Sequence, residues 1–383
     1  MLSNRWLILA VLFFARLTMA FQFQSIAALS PLIIDDFGLD LADIGFVIGL
    51  YFAPGIIFAL PGGAIAARFG DKRIVSIGMI LMLVGGAMIA LTETWNILVA
   101  GRLIAGAGGV VLNVVMTKML VDWFAGREIS TAMAIFVNSW PVGIALALLV
   151  LPMFAAIGGL TFAWWSLWAL MVAGLVLFAT IYHAPPDASA GPATLKRAGF
   201  PVLALVCAGL VWALYNTALS MVFSFGPALF LQQGWDLQKA GSVTGLFMIL
   251  FSLAVPIGGI VADRTGRKDT VILVSLVSFA VLIPLMLSLP AAALAIFCVV
   301  AVLFALCAGP VMTLPAEVLS NEARAFGMGV FFSIYYGLMM IGPRIGGGLA
   351  EAADDAGMAL IAGAVMSLAA AVSLGVFRWA SRR

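Results

Sequence analysis

A glycine-rich, cationic segment of ten residues occurs twice in this chain, beginning at Gly63 and again 196 positions later at Gly259. The first copy, residues 63–72, has the sequence GAIAARFGDK, and the second, residues 259–268, has the sequence GIVADRTGRK. Each copy follows one long apolar run and precedes another. A repeat near half the chain length predicts two copies of one membrane-embedded unit.

The composition agrees with a membrane protein and argues against an enzyme. Hydrophobic residues make up 64% of the chain and charged residues 9%, whereas about 25% of the residues in soluble domains are charged. The three cysteines lie in apolar runs, and the single histidine, His183, ends a span. Because these residues offer no catalytic triad, metal cluster or phosphate loop, we expect no enzymatic activity, cofactor or nucleic-acid partner.

About 20 apolar residues are needed to cross a bilayer, and on this measure the chain has twelve predicted spans. Their limits are 6–34, 42–67, 74–92, 96–121, 130–155, 160–183, 200–231, 240–262, 270–289, 291–319, 325–350 and 357–379. The predicted fold is therefore all-α, with an N-terminal six-helix half over residues 1–183 and a C-terminal six-helix half over residues 199–383. The polar segment 184–198 between them has linker composition.

The distribution of cations predicts the orientation, because short cytoplasmic loops carry the excess of Lys and Arg. One set of loops, together with both termini, contains nearly all the loop cations, whereas the other contains Lys239 alone. The second set is acidic instead, with Asp35, Asp36, Asp40, Asp43, Glu93, Asp236, Asp354 and Asp355. We therefore expect a multi-pass protein of the cell inner membrane, monomeric in the lipid bilayer, with both termini cytoplasmic.

Several motifs resemble those of the major facilitator superfamily. The second copy of the repeat is similar to the family signature Gly-x-Leu-Ala-Asp-Arg-x-Gly-Arg-Lys, with Val261 in place of leucine. The segments 102–108 and 126–128 resemble the family's Arg-x-x-x-Gly-x-Gly motif in span 4 and the loop after it. The segment 342–347 resembles a Gly-Pro-x-x-Gly-Gly motif usually cited for span 5 of antiporters. The resemblance covers essentially the whole chain and implies an alternating-access secondary transporter.

The resemblance also implies residues that control the conformational change. In the family, the aspartate of the repeated segment helps to latch the two halves on the cytoplasmic side, but the first copy has Ala67 there, so Asp71 would have to substitute. Pro141 and Pro343 break the matching spans 5 and 11, where a moving joint is expected. The predicted gating residues are Gly63, Arg68, Gly70, Asp71, Arg127, Pro141, Gly259, Asp263, Arg264, Gly266, Arg267 and Pro343.

Three arginines lie deep within predicted spans, where an ionisable residue costs at least about 2.5 kcal/mol and indicates a functional site. Arg16 lies about 15 Å along span 1, near the membrane midplane, at a rise of about 1.5 Å per residue. Arg102 lies in the outer third of span 4, and Arg344 in the outer half of span 11. Every Asp and Glu falls in a loop or near a span end. Buried arginines of this kind predict an anionic substrate.

Each arginine also has a structural alternative. Arg16 could contact the carbonyl groups of a broken helix, Arg102 could serve helix packing or coupling, and Arg344 could bind carbonyls freed by Pro343 or extend to the membrane surface. Hydrogen bonds between helices could explain each uncharged polar residue taken singly. The predicted substrate-binding residues are Arg16, Arg102, Arg344, Gln22, Asn113, Asn138, Tyr215, Asn216 and Tyr336.

The function predicted from these features is transport of a small anion, either an inorganic monovalent anion or a short organic carboxylate. Arg16 and Arg102 resemble arginines of the organic anion:cation symporters, whose proton-carrying acids are replaced here by Ala15 and Gly109. Exchange or uniport, as in the nitrate/nitrite carriers, therefore suits the chain better than proton symport. The general character of the sequence also resembles the cyanate permease group. The alternative is a proton-coupled efflux carrier for small lipophilic compounds, suggested by 19 methionines.

Overall fold

The computed structural model describes residues 4–58, 69–92, 94–124, 128–185, 201–320 and 324–382, and these ranges contain helices but no strands. The first helices are α1 (Arg5–Ala28), α2 (Ser30–Phe37), α3 (Leu41–Leu50), α4 (Ala53–Phe58), α5 (Asp71–Leu91), α6 (Trp95–Phe124) and α7 (Ile129–Ile181). The others are α8 (Val202–Gln232), α9 (Leu237–Thr265), α10 (Lys268–Ser288), α11 (Ala293–Ala305), α12 (Ala308–Met312), α13 (Leu314–Val318), α14 (Arg324–Ala353) and α15 (Gly357–Ala380).

Eleven segments within the described ranges are long and apolar enough to cross a membrane. One of them, Ile135–Ile181 in α7, has 47 residues, more than twice the roughly 20 needed for one crossing. Gly158 and Gly159 interrupt α7 with non-helical backbone angles, and Gly159 has φ +69°, a conformation that glycine adopts without strain. Because α7 thus contains two crossings, the helix count agrees with twelve spans, and the predicted all-α fold is confirmed.

Other predicted spans are broken where proline removes a backbone N–H. Span 2 divides into α3 and α4 at Tyr51 and Phe52, just before Pro54. Span 10 divides into α11, α12 and α13, with Pro310 and Pro315 in the two short helices. These breaks give the chain irregular backbone in the middle of apolar segments.

The chain forms two compact units. The first consists of Met1–Gly38 and Leu50–Thr194, and the second of Leu39–Gly49 and Leu195–Arg383. In the first unit, α1 packs mainly against α7, and α5 packs against α6. A Cβ atom added to Gly78 would lie 2.8 Å from the Gly108 carbonyl oxygen, so glycine is needed for this close α5–α6 approach. In the second unit, α8 packs against α14 and α15.

Candidate functional site

Arg16 lies in the middle of α1 and contacts both α6 and α7. Its Nε donates to Asn113 Oδ1 at 2.9 Å, while Nη1 donates to the carbonyl oxygens of Phe136 at 3.0 Å and Val137 at 2.9 Å and to Ser139 Oγ at 3.2 Å. The guanidinium carbon also lies 4.9 Å from the centroid of the Phe136 ring. These four acceptors are neutral oxygens, and together they orient the guanidinium group.

Pro141 explains why carbonyl groups of α7 can bind Arg16. In a regular helix, the Val137 carbonyl would accept a hydrogen bond from the backbone N–H of residue 141, but proline has none. The Val137 oxygen accepts from Arg16 instead. Arg16 thus makes the contact with carbonyl groups of a broken helix that was its structural alternative. This contact connects the predicted binding residue Arg16 to the predicted joint at Pro141.

Arg102 is completely buried and connects α6 to α1 and to the break between α3 and α4. Its Nη1 and Nη2 donate to the carbonyl oxygens of Gln22 at 3.2 Å and Phe23 at 2.7 Å. The guanidinium carbon lies 4.6 Å from the ring centroid of Tyr51 and 5.4 Å from that of Phe23. A Cβ atom at Gly109 would collide with the Tyr51 hydroxyl. These contacts support a packing or coupling role for Arg102.

The uncharged residues predicted in the first unit differ in their contacts. Asn113 binds Arg16 directly, whereas the buried Gln22 donates from Nε2 to the Met82 carbonyl oxygen at 2.9 Å and so connects α1 to α5. Asn138 is half-buried on α7, next to Ser139. Arg16 also contacts Phe136, Val137 and Ser139, which the predicted set omitted. Their position within one or two turns before a proline in mid-span could have identified them.

The predicted residues of the second unit are mostly engaged in packing. Tyr215 is buried with its ring 4.6 Å from that of Phe304, and the buried Tyr336 packs against Tyr335 at 5.0 Å. Asn216 donates from Nδ2 to the Trp212 carbonyl oxygen on its own helix at 2.8 Å. Arg344 is exposed on α14, with its guanidinium carbon 5.2 Å from the centroid of the Phe46 ring.

The helix α14 also makes a close approach to α3 within the second unit. A Cβ atom at Gly45 would collide with the carbonyl oxygen of Pro343, and one at Gly347 would collide with that of Leu41. The predicted joint at Pro343 is thus a point of tight contact between two helix backbones.

The repeated segment has a glycine with positive φ at the same position in both units. Gly70 and Gly266 occupy the eighth position of the two copies, and their φ angles are +89° and +63°, a region that favours glycine. Gly63, Arg68 and Arg127 lie outside the described residues. In the second unit Asp263, Arg264 and Arg267 are exposed, and a Cβ atom at Gly259 would meet nothing within 4 Å.

Ion pairs connect helix ends near these glycines. Lys118 donates to Asp71 at 2.6 Å and to Asp122 at 3.1 Å, which connects α6 to α5. In the second unit Glu317 accepts from both Lys268 and Arg378, and Arg378 also donates to Asp269. Asp71, the predicted substitute for the missing aspartate of the first copy, is thus bound within its own unit.

The described part of the chain has no group of three or more His, Cys, Asp or Glu residues that could hold a metal ion. The candidate site of the first unit is cationic and aromatic, with the Arg16 guanidinium group over the Phe136 ring. Chemically, it can attract and orient an anion through the guanidinium group.

Comparison with known proteins identifies the family. The model of the Major Facilitator Superfamily matches residues 12–236 and 202–383. The hexuronate transporter of Bacillus subtilis (strain 168) is 22% identical over a segment that covers 68% of this chain and 66% of that protein. A probable L-galactonate transporter of Escherichia coli (strain K12) is 24% identical over 36% of this chain and 30% of its own length. The match thus spans less than two thirds of these two relatives.

Longer matches agree with this result. The 4-hydroxybenzoate transporter PcaK of Acinetobacter baylyi (strain ATCC 33305 / BD413 / ADP1) is 26% identical over 88% of this chain and 85% of its own length. Two solved structures show the same fold. A bacterial homolog of the human lysosomal transporter Spinster has a TM-score of 0.79 and 15% identity, over 100% of this chain and 98% of its own. A D-xylose-proton symporter has a TM-score of 0.78 and 16% identity, over 96% of both chains. This chain belongs to the Major Facilitator Superfamily.

Proposed function

We propose that this protein is an alternating-access secondary transporter of organic carboxylates that works by exchange or uniport. Arg16 is the main charge contact for the substrate. The observation that carries this proposal is the guanidinium group of Arg16 in the middle of α1, oriented by the neutral oxygens of Asn113, Phe136, Val137 and Ser139. The planar fork of arginine suits a carboxylate because two parallel hydrogen bonds can form.

The relatives support a carboxylate over an inorganic anion. Hexuronate, L-galactonate and 4-hydroxybenzoate, the compounds in the names of three relatives, all carry a carboxylate group. We therefore narrow the small anion predicted from the sequence to an organic carboxylate. The cytoplasmic position of both termini, the inner-membrane location and a monomeric state belong to the same proposal.

Electrostatics favours exchange. Closing an empty site would remove water from the charged guanidinium group, which is unfavourable unless an anion neutralises it. A bound carboxylate lowers that barrier in both directions, so the loaded carrier changes state more readily than the empty one. Ala15 and Gly109 occupy the two positions where the symporters carry acids, and the Tyr51 hydroxyl fills the space beside Gly109.

Counterflow in proteoliposomes tests this proposal. Vesicles loaded with glucuronate, galactonate, 4-hydroxybenzoate, nitrate or cyanate are diluted into the same labelled anion, with and without a pH gradient. We expect trans-stimulation by at least one organic carboxylate and no accumulation driven by the pH gradient alone. Stimulation by nitrate or cyanate alone would contradict the carboxylate assignment, and uptake driven by the pH gradient would contradict exchange. Extrusion of a lipophilic dye driven by that gradient would favour the efflux alternative.

A further inference from the structure

We infer that the carboxylate bound at Arg16 belongs to a compound with a flat, apolar body, such as an aromatic acid, and that Trp140 selects this class over polyhydroxylated acids. The inference rests on the proposed function and concerns the same site. Its basis is the set of side chains that surround Arg16 in the first unit.

Two polar side chains that contact Arg16, and two more on the neighbouring turns of α1 and α6, have partners within the protein. Asn113 Oδ1 and Ser139 Oγ accept from Arg16 itself. Thr117 Oγ1 donates to the Asn113 carbonyl oxygen at 2.9 Å, and the buried Thr18 donates to the Ala15 carbonyl oxygen at 2.8 Å. A substrate with many hydroxyl groups would have to compete for these groups after losing its own water, which is unfavourable.

The neighbouring face of α7 is apolar and accessible. Met133, Val137 and Trp140 follow one another at helical spacing, and each is at least partly exposed, with Val137 at 45%. Residues four and seven positions apart share one face of a helix. Since the Val137 carbonyl accepts from Arg16, the backbone of this segment lies in contact with the guanidinium group.

The Trp140 indole packs against two buried aromatic rings. Its ring is stacked on that of Phe23, with centroids 5.2 Å apart and planes inclined at 28°, and it lies 6.4 Å from the Phe52 ring. Phe23 and Phe52 are 1% and 3% exposed, so they form a rigid support behind a partly exposed indole.

The charge and the indole together favour one shape of substrate. A carboxylate on Arg16 would direct the rest of its molecule along the Val137 and Trp140 face. A planar ring can stack against the indole there, whereas a puckered or hydroxylated ring of the same size fits that surface less well.

Three carboxylates of similar size test the inference: benzoate, cyclohexanecarboxylate and glucuronate. Their dissociation constants are measured by isothermal titration calorimetry on the purified full chain in detergent. We expect benzoate to bind about tenfold more tightly than cyclohexanecarboxylate, and glucuronate to bind most weakly. Trp140→Leu should abolish the preference for benzoate over cyclohexanecarboxylate, whereas Trp140→Phe should retain most of it.

Trp165→Leu provides the matched control, because Trp165 is another tryptophan of α7, 37% exposed, and should leave the ratio unchanged. Size-exclusion profiles and melting temperatures establish that each variant is folded. Glucuronate binding as tightly as benzoate, or an unchanged ratio in folded Trp140→Leu, would overturn the inference. The variant Arg16→Gln then separates this inference from the proposed function. If Arg16→Gln binds none of the three ligands, the proposed function still stands; if it binds them, the proposed function itself is contradicted.

Discussion

Replacing Asn113 by aspartate should block the site from within. The two side chains have nearly the same shape, and Asn113 Oδ1 lies 2.9 Å from Arg16 Nε, so Asn113→Asp places a carboxylate on the arginine without changing its orientation. The internal carboxylate then competes with the substrate for the same positive charge.

The size of the effect follows from Coulomb's law. Opposite charges about 4 Å apart interact by about 4 kcal/mol at an effective dielectric constant of 20. Because Arg16 is only partly buried, solvent screening reduces this to about 2 kcal/mol. A substrate that binds next to a neutralised Arg16 loses about 2 kcal/mol of binding free energy, which corresponds to about 30-fold weaker binding.

Isothermal titration calorimetry with benzoate, cyclohexanecarboxylate and glucuronate measures the change on purified protein. Asn113→Leu is the control, since it removes the acceptor without adding a charge and should weaken binding by no more than about tenfold, the value of one hydrogen bond. If folded Asn113→Asp binds every ligand within about threefold of the unmodified protein, Arg16 is not the charge that holds the substrate.

Three further predictions concern the proline in α7, the contact at Gly109 and the first copy of the repeated segment. Pro141→Ala supplies an N–H that competes with Arg16 for the Val137 carbonyl, so kcat/KM for exchange should fall about tenfold for the loss of one charge-assisted hydrogen bond of about 1.5 kcal/mol; unchanged kinetics would contradict the role of the freed carbonyl. Gly109→Ala places a Cβ against the Tyr51 hydroxyl and should lower the unfolding free energy by about 1–3 kcal/mol. Adding Tyr51→Phe to this variant removes the hydroxyl group and should restore part of the lost unfolding free energy. If the losses measured for the two single variants simply add in the double variant, the contact between Gly109 and Tyr51 is refuted. Ala67→Asp should slow exchange by over-stabilising the outward-open state, and an unchanged turnover number in a reconstituted assay would contradict this expectation.

Much of the fold could be predicted because it depends on local properties of the sequence. The length of the apolar runs predicted twelve crossings, and the repeated segment predicted two related halves. The depth of Arg16 and the absence of nearby acids in the sequence pointed to the residue at the centre of the candidate site. Each of these inferences needs only the neighbouring residues and the thickness of the bilayer.

The partners of the arginines were harder to predict because they come from distant parts of the chain. Arg16 binds residues of α7 that lie 120–123 positions away, and hydropathy does not specify which helix face meets α1. The complete burial of Arg102 and the contact of Tyr51 with Gly109 have the same origin. Both depend on how α6 packs against α1 and against the break before α4.

The most direct test of the central claim is carboxylate exchange by Arg16→Gln in proteoliposomes, compared with the unmodified protein and with Arg16→Lys. The glutamine retains hydrogen-bonding groups but removes the charge, and lysine retains the charge without the planar fork. We expect no saturable exchange in Arg16→Gln although the protein remains folded in detergent, and reduced exchange in Arg16→Lys. Saturable carboxylate exchange by folded Arg16→Gln would contradict the proposal that this arginine binds the substrate.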